Sequence, residues 1–353
     1  MDSLTQAVLG AGIQGAMLGR YGGRKALAAG ALLATLPDLD VLIDYGDPVS
    51  GMINHRGFSH SLFILTALAL ALTVLFRVWR RSPHYGAGRL FLTLWLVLIT
   101  HPLLDAFTSY GTQLWWPLTP TPTSWSSIFI IDPFFTLPLF ATVAAACIVG
   151  PSAKARTALC CALGWCAVYL ALSIGAKSFI ETQVKQDLTT NDIAVNAMFS
   201  TPEPFNILLW RVVAKTDDGS YVETVRSVLD SGPTESIRRP LNSQLANALP
   251  SSAQLAGLRW FTDNWLRYDA IENQLIVTDL RMGLGGGIYS FRFHIAQRRG
   301  QDGDWAAITP EYWPSERGIA ELPAVMKRIW QPTPPLPLAS WEQNMTRIPT
   351  DRP

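Results

Sequence analysis

Residues 89–107 read RLFLTLWLVLITHPLLDAF, an apolar run that starts at Arg89 and carries His101 and Asp105 near its far end. About 20 mostly apolar residues are what an α-helix needs to cross the hydrocarbon core of a bilayer. His101 and Asp105 are four apart, so on a helix the imidazole and the carboxylate share one face, one turn from each other. Ionisable side chains at membrane depth are costly and mark a function or a partner. The run therefore predicts a membrane helix and a site at its end.

Working outward, Ser61–Trp79, Ile128–Val149 and Thr157–Ala176 pass the same test of length and apolarity. Leu4–Leu18 and Ala26–Ile43 are shorter or rich in Gly and Ala, which suits close helix packing as much as insertion, so they span or are re-entrant. Basic loops stay in the cytoplasm. One such loop holds Arg20, Arg24 and Lys25, a second Arg77, Arg80, Arg81 and Arg89, and a third Lys154 and Arg156. Between them, 45–60 has only Arg56 and 108–127 has neither Lys nor Arg. Six crossings with both termini outside satisfy every loop and predict a multi-pass protein of a bacterial-type inner membrane.

Apolar residues make up 49% of the 353 residues and charged ones 16%, and the net charge is +1, which gives no basic field for nucleic acid. Cys147, Cys160, Cys161 and Cys166 lie within apolar runs without a Cys-x-x-Cys pair, so no disulfide framework is expected. The start lacks a basic region, and no cleaved signal peptide is expected. From Lys177 the chain turns polar with strand-like runs at Asn206–Ala214 and Tyr221–Leu229, joined by Asp217, Asp218 and Gly219. Further strands are expected at Gln274–Leu280 and Ile288–Ala296, around the turn Gly283–Gly287, and Pro233–Ser252 reads as a connecting loop with helical fragments. The expected fold is an α-helical integral membrane domain of about six helices, residues 1–176. A small α+β extramembrane domain with a Pro-rich tail, residues 177–353, follows on the non-cytoplasmic side.

Four groups of ionisable residues fall to that same side. They are Asp38 and Asp40, then His55 and His60 with Arg56 between them, then His101 and Asp105, and finally Asp132. Alone, Pro-Asp-x-Asp is a common helix cap and a membrane His a common packing residue. Their coincidence on one face favours a site, with interhelical salt bridges as the competing explanation. Imidazole and carboxylate donors suit zinc first, with manganese or iron as alternatives. The expected metal ligands are Asp38, Asp40, His55, His60, His101 and Asp105. A carboxylate not used as a ligand, Asp40 or Asp132, would take a proton from water, and Arg56 would grip an anionic group.

These stretches resemble the YdjM-like family of membrane-bound metal-dependent hydrolases. The resemblance rests on Met1–Thr5, Leu36–Asp40, His55–Ser61, His101–Asp105 with Thr108 and Gly111, and Ile131–Phe134, and in long members on Pro204–Arg211 and Asp279–Gly283. It implies hydrolysis by a divalent metal ion at the membrane. Gln6 stands where many relatives have His, and Gly15 where some have an acid. The His-x-x-x-Asp spacing also resembles that of zinc-dependent phospholipase C enzymes. The expected substrate is a lipid or lipid-linked phosphoester at the outer interface, with membrane lipids as partners. A metal- or proton-linked transporter and a non-catalytic membrane scaffold are the alternatives.

Overall fold

The computed structural model describes residues 1–79, 84–150, 152–232, 234–249, 252–300, 303–314, 320–343 and 345; Arg80 and Arg81 lie outside them. The chain divides into two compact units, residues 1–43 with 55–173, and residues 44–54 with 174–353.

In the first unit, Asp2 caps helix α1 (Ser3–Gly22) by accepting from the Thr5 amide. Gly23, at φ 59°, turns the chain into α2 (Arg24–Ala34). The two helices touch at backbone level: a Cβ on Gly10 would lie 2.4 Å from both the Gly30 carbonyl oxygen and Ala34 Cβ. Small residues permit this approach where lipid gives helices little hydrophobic reason to associate. Pro37 then forces a change to a 3₁₀ helix over Pro37–Leu42. Ala26–Ile43 is thus not one long segment. An 11-residue α2 extends about 16 Å, too short to cross a bilayer core.

Residues 48–54 form α3 (Pro48–Asn54), which belongs to the second unit, and a 3₁₀ turn at Phe58–His60 leads into α4 (Leu62–Trp79). Next come α5 (Ala87–Ala106), α6 (Pro133–Val149) and α7 (Ala153–Thr190). Among the described residues α4, α5 and α7 are long and apolar enough to cross a membrane, while α6 is a shorter apolar helix. The expected span Ile128–Val149 loses its first turn because Asp132 caps α6, accepting from the Phe134 and Phe135 amides at 3.0 and 3.2 Å, with Pro133 at the first helical position. Leu65, Ala69, Leu94 and Leu98 form the core between α4 and α5.

The two ends of this helical unit differ in chemistry. At one, Arg89 reaches Tyr21 at 2.9 Å and Arg24 reaches the Ile148 carbonyl at 2.7 Å, which gathers the basic turns. At the other lie the Asp and His residues.

The second unit is rich in β-structure. Strands β1 (Val195–Pro202), β2 (Leu209–Thr216), β3 (Ser220–Ser227) and β4 (Ser236–Pro240) form an antiparallel meander. The segment expected to be a connecting loop thus supplies β4. After α8 (Ala253–Thr262) come β5 (Leu266–Ile271), β6 (Gln274–Asp279), the short pair β7 (Gly283–Leu284) and β8 (Ile288–Tyr289), β9 (Arg292–Gln297) and β10 (Ala306–Tyr312). A second sheet has the order β10-β9-β6-β5. Helix α7 does not stop near Ala176. It continues as an amphipathic helix whose Ile180, Val184 and Leu188 pack on Trp210, Val212 and Val222. Arg211 and Glu223 are buried together at 3.0 Å, and Tyr289 donates to Glu223 at 2.6 Å. Asp279 and Arg281 form a buried pair at 2.9 Å.

Candidate metal centre

Helix α5 presents His101 and Asp105 on one face, with His101 Nε2 3.5 Å from Asp105 Oδ2. Two short elements converge on that pair. The 3₁₀ helix after α2 brings Asp38, whose Oδ1 lies 3.2 Å from His101 Nε2. The turn before α4 brings His60, whose Nε2 lies 3.3 Å from Asp105 Oδ2 and 3.5 Å from Asp38 Oδ1. One donor atom from each of Asp38, His60, His101 and Asp105 falls within 4.8 Å of all the others. His60 Nε2 and Asp105 Oδ2 are buried without a hydrogen-bond partner. They meet each other at 3.3 Å and His60 meets Asp38 at 3.5 Å, ion-pair contacts longer than good hydrogen bonds, and buried polar atoms held so loosely are costly unless something between them satisfies them. A cation fits the donor set, because two imidazole nitrogens and two carboxylates match zinc and similar divalent ions in type and charge.

The surrounding contacts fix these side chains. His101 Nδ1 lies 2.6 Å from the Ala34 carbonyl, one of the oxygens left without an intrahelical partner at the end of α2. Donation from Nδ1 leaves the Nε2 lone pair facing the cluster. Asp105 Oδ1 accepts from the Met1 amino group and from Gln6 Nε2 at 3.1 Å, while Arg56 Nε approaches Oδ2 at 3.3 Å. Arg56, at φ 62°, also donates to Thr108 Oγ1 at 3.3 Å and lies over the Tyr110 ring at 5.0 Å.

Asp40 and His55 lie behind this group rather than in it. Asp40 Oδ1 meets His55 Nδ1 at 2.9 Å, and Oδ2 accepts from Ser59 Oγ at 2.6 Å and the Arg56 amide at 3.0 Å. Ser59 in turn contacts His60 Nδ1 at 2.8 Å, so Asp40 reaches His60 through a hydroxyl. Asp132 stands apart as the cap of α6, with Tyr169 donating to Oδ2 at 2.8 Å. Gln6 and Ser59 were not singled out as site residues from the sequence.

Burial alone would raise the Asp38 carboxyl, but the facing His101 and His60 outweigh it and hold it below the usual range. Asp40 is likewise held low against burial, by His55 and Ser59. Burial disfavours protonated His60, yet the Asp105 and Asp38 carboxylates hold its pKa above the ordinary value. Of the four side chains only Asp38 has exposure, 22% against 0% for the others, so the group opens on the Asp38 side.

The model of the family described as YdjM inner membrane protein matches residues 1–179, the stretch that contains the whole cluster. The chain is 38% identical over 93 residues to the inner membrane protein YbcI of Escherichia coli (strain K12), covering 26% of this chain and 52% of that protein. It is 28% identical over 156 residues to the uncharacterized protein YfhP of Bacillus subtilis (strain 168), covering 41% of this chain and 46% of YfhP. The chain therefore spans about half the length of the curated relatives it matches. No solved structure matches it. With a family match over half its length and apolar helices of spanning length, this chain is a membrane protein that belongs to the YdjM family.

Proposed function

We propose that this chain is a metal-dependent hydrolase of a lipid or lipid-linked phosphoester, with a divalent ion, zinc first, held by Asp38, His60, His101 and Asp105. The observation that carries the reading is the convergence of those four donors within 4.8 Å with His60 Nε2 and Asp105 Oδ2 unsatisfied. When bound, such an ion acidifies a coordinated water and makes it a nucleophile near neutral pH. The protein's own parts follow from their contacts. Asp38, on the open side, is the donor nearest to where water and substrate would reach the ion. Arg56 steadies Asp105 and adds positive charge beside an anionic substrate. Asp40 positions His60 through Ser59, and Asp132 positions the start of α6.

A lipid substrate is supported by the apolar residues exposed around the opening, Leu39 at 56%, Leu42 at 79% and Phe58 at 43%. The distribution of basic turns supports the cluster at the outer interface of the inner membrane, a membrane domain to about residue 176 and an outer domain after it. Cysteine labelling at Asp218 from the outside tests that topology, and a cytoplasmic Asp218 refutes it. A transport path would need polar groups continuing toward the basic end, where Leu65, Ala69, Leu94 and Leu98 fill the interior between α4 and α5 instead.

The test is metal content and hydrolysis together. Wild type, His101→Ala and Arg56→Lys are assayed on outer-leaflet lipids and lipid-linked phosphates with zinc, manganese and iron. His101→Ala should lose metal and activity. Arg56→Lys should retain metal and lose activity, because an ammonium cannot reproduce the planar fork of the guanidinium. Tight metal binding without hydrolysis of any substrate overturns the enzyme reading in favour of binding or transport.

A further inference from the structure

Far from the Asp and His residues, α1, α2, α6 and the start of α7 enclose a cleft of about 270 Å³. Arg20, Ser152 and Arg156 line its mouth, and Leu27 and Leu159 line its interior. Gly15 forms the tight part, since a Cβ there would lie 2.9 Å from Leu159 and 3.1 Å from Leu27. At Gly19 a Cβ would meet nothing within 4 Å, so the space widens beside the two arginines. On α1, Gln6 beside Asp105 and Arg20 at this cleft are about 21 Å apart along the helix axis.

Acidic residues are scarce in the helices that meet at this end. Residues 3–37, 48–104 and 133–180 contain no Asp or Glu. Arg20 lies against its neighbour Tyr21, 4.4 Å from the ring centroid, and neither Arg20 nor Arg156 makes an ion pair with a described carboxylate. Ser152 Oγ accepts from the Ala155 amide at 3.0 Å and starts α7 beside Arg156.

We propose that this cleft binds the headgroup of an anionic phospholipid, with the phosphate between Arg20 and Arg156 and the first methylenes over Leu27 and Leu159. Basic pockets between membrane helices recognise such headgroups by combining charge with an apolar floor. A free phosphate would leave that floor unused, whereas an amphiphile satisfies both parts. Ile148 and Val149, close by on α6, are 76% and 72% exposed and offer an apolar surface for the acyl chains.

The full chain in detergent is titrated with phosphatidylglycerol, phosphatidylcholine or inorganic phosphate, and bound lipid is counted by native mass spectrometry. Phosphatidylglycerol should bind selectively. Arg20→Gln and Arg156→Gln should each weaken it about fivefold, the weight of one basic residue near an anionic headgroup. Gly19→Leu, which keeps both charges and fills the open space, should also abolish retention. If the arginine variants fail to fold, the lipid comparison and Gly19→Leu still decide. Equal binding of phosphatidylcholine, unchanged binding in the variants, or inorganic phosphate binding as tightly as the lipid would each overturn the proposal.

Discussion

Replacing Asp40 by Asn separates a residue that holds the centre together from one that touches the ion, and Asp38→Asn is the matched comparison two residues away. Asp40 accepts from Ser59, from the Arg56 amide and from His55, at 2.6, 3.0 and 2.9 Å. Hydrogen bonds to a charged acceptor contribute about 1.5–3 kcal/mol and those to a neutral one about 0.5–1.5, so three bonds lose about 3 kcal/mol of local order. Only the part transmitted through Ser59 to His60 reaches the ion. Loss of an outer partner of this kind weakens metal binding about 10–100-fold, or about 1.4–2.7 kcal/mol. Asp40→Asn should therefore still fill with one metal equivalent when zinc is in excess. Asp38→Asn replaces a charged donor of the cluster by a neutral amide oxygen and should fall by more than about 100-fold, beyond the outer-partner range. Competition against a chromogenic chelator measures both affinities, and elemental analysis gives the stoichiometry. Equal losses in the two variants, or an Asp40→Asn protein that stays empty in excess zinc, would refute the separation of roles.

Gly10→Ala should destabilise the helical unit by about 1–3 kcal/mol, because its Cβ collides with Gly30 and Ala34. It should also weaken metal binding by displacing the Ala34 carbonyl from His101. Gly164→Ala, with open space around the new Cβ, is the neutral control in the same denaturation assay. In the second unit, burial pushes Glu203 up to about 7 from an ordinary 4.5. The folded state then holds a proton that the unfolded state lacks between those values. Stability of that unit should fall by up to about 3 kcal/mol as pH rises from about 4.5 to 7 and level off above. Glu203→Gln should flatten this dependence in thermal melts of the full chain followed by the β-sheet circular-dichroism signal, and an unchanged slope would rule out Glu203 as its source.

The residues of the centre were legible in the sequence because chemistry in an apolar setting stands out. Asp38, His60, His101 and Asp105 all lie in quoted motifs, and the helical spacing of the last two gave their common face. What spacing could not give was the sorting of neighbours. Asp38 and Asp40 are two apart on a 3₁₀ helix with three residues per turn, so they point about 120° apart and do not share a face. His55 and His60 are separated by a loop with Arg56 at φ 62°, which has no period from which to read a face. In the second unit Asp217-Asp218-Gly219 announced its hairpin, with Gly219 at φ 76°. Strand β1 shows no alternation in its burial and left no comparable signal.

The same contrast explains why Gln6, marked in the sequence only as a departure from the resembling family, is not placed there beside Asp105, from which it lies 3.1 Å. Its helix is drawn to the centre by Gly10 and Gly30, whose small size signals close packing in the sequence without saying against which partner. Yet that backbone contact fixes three things together. It seats α1 against α2, it brings Gln6 to Asp105, and it sets the Ala34 carbonyl that orients His101. In a membrane, where close packing of small residues replaces the hydrophobic drive between helices, the residues that assemble a site are those with the least chemistry of their own.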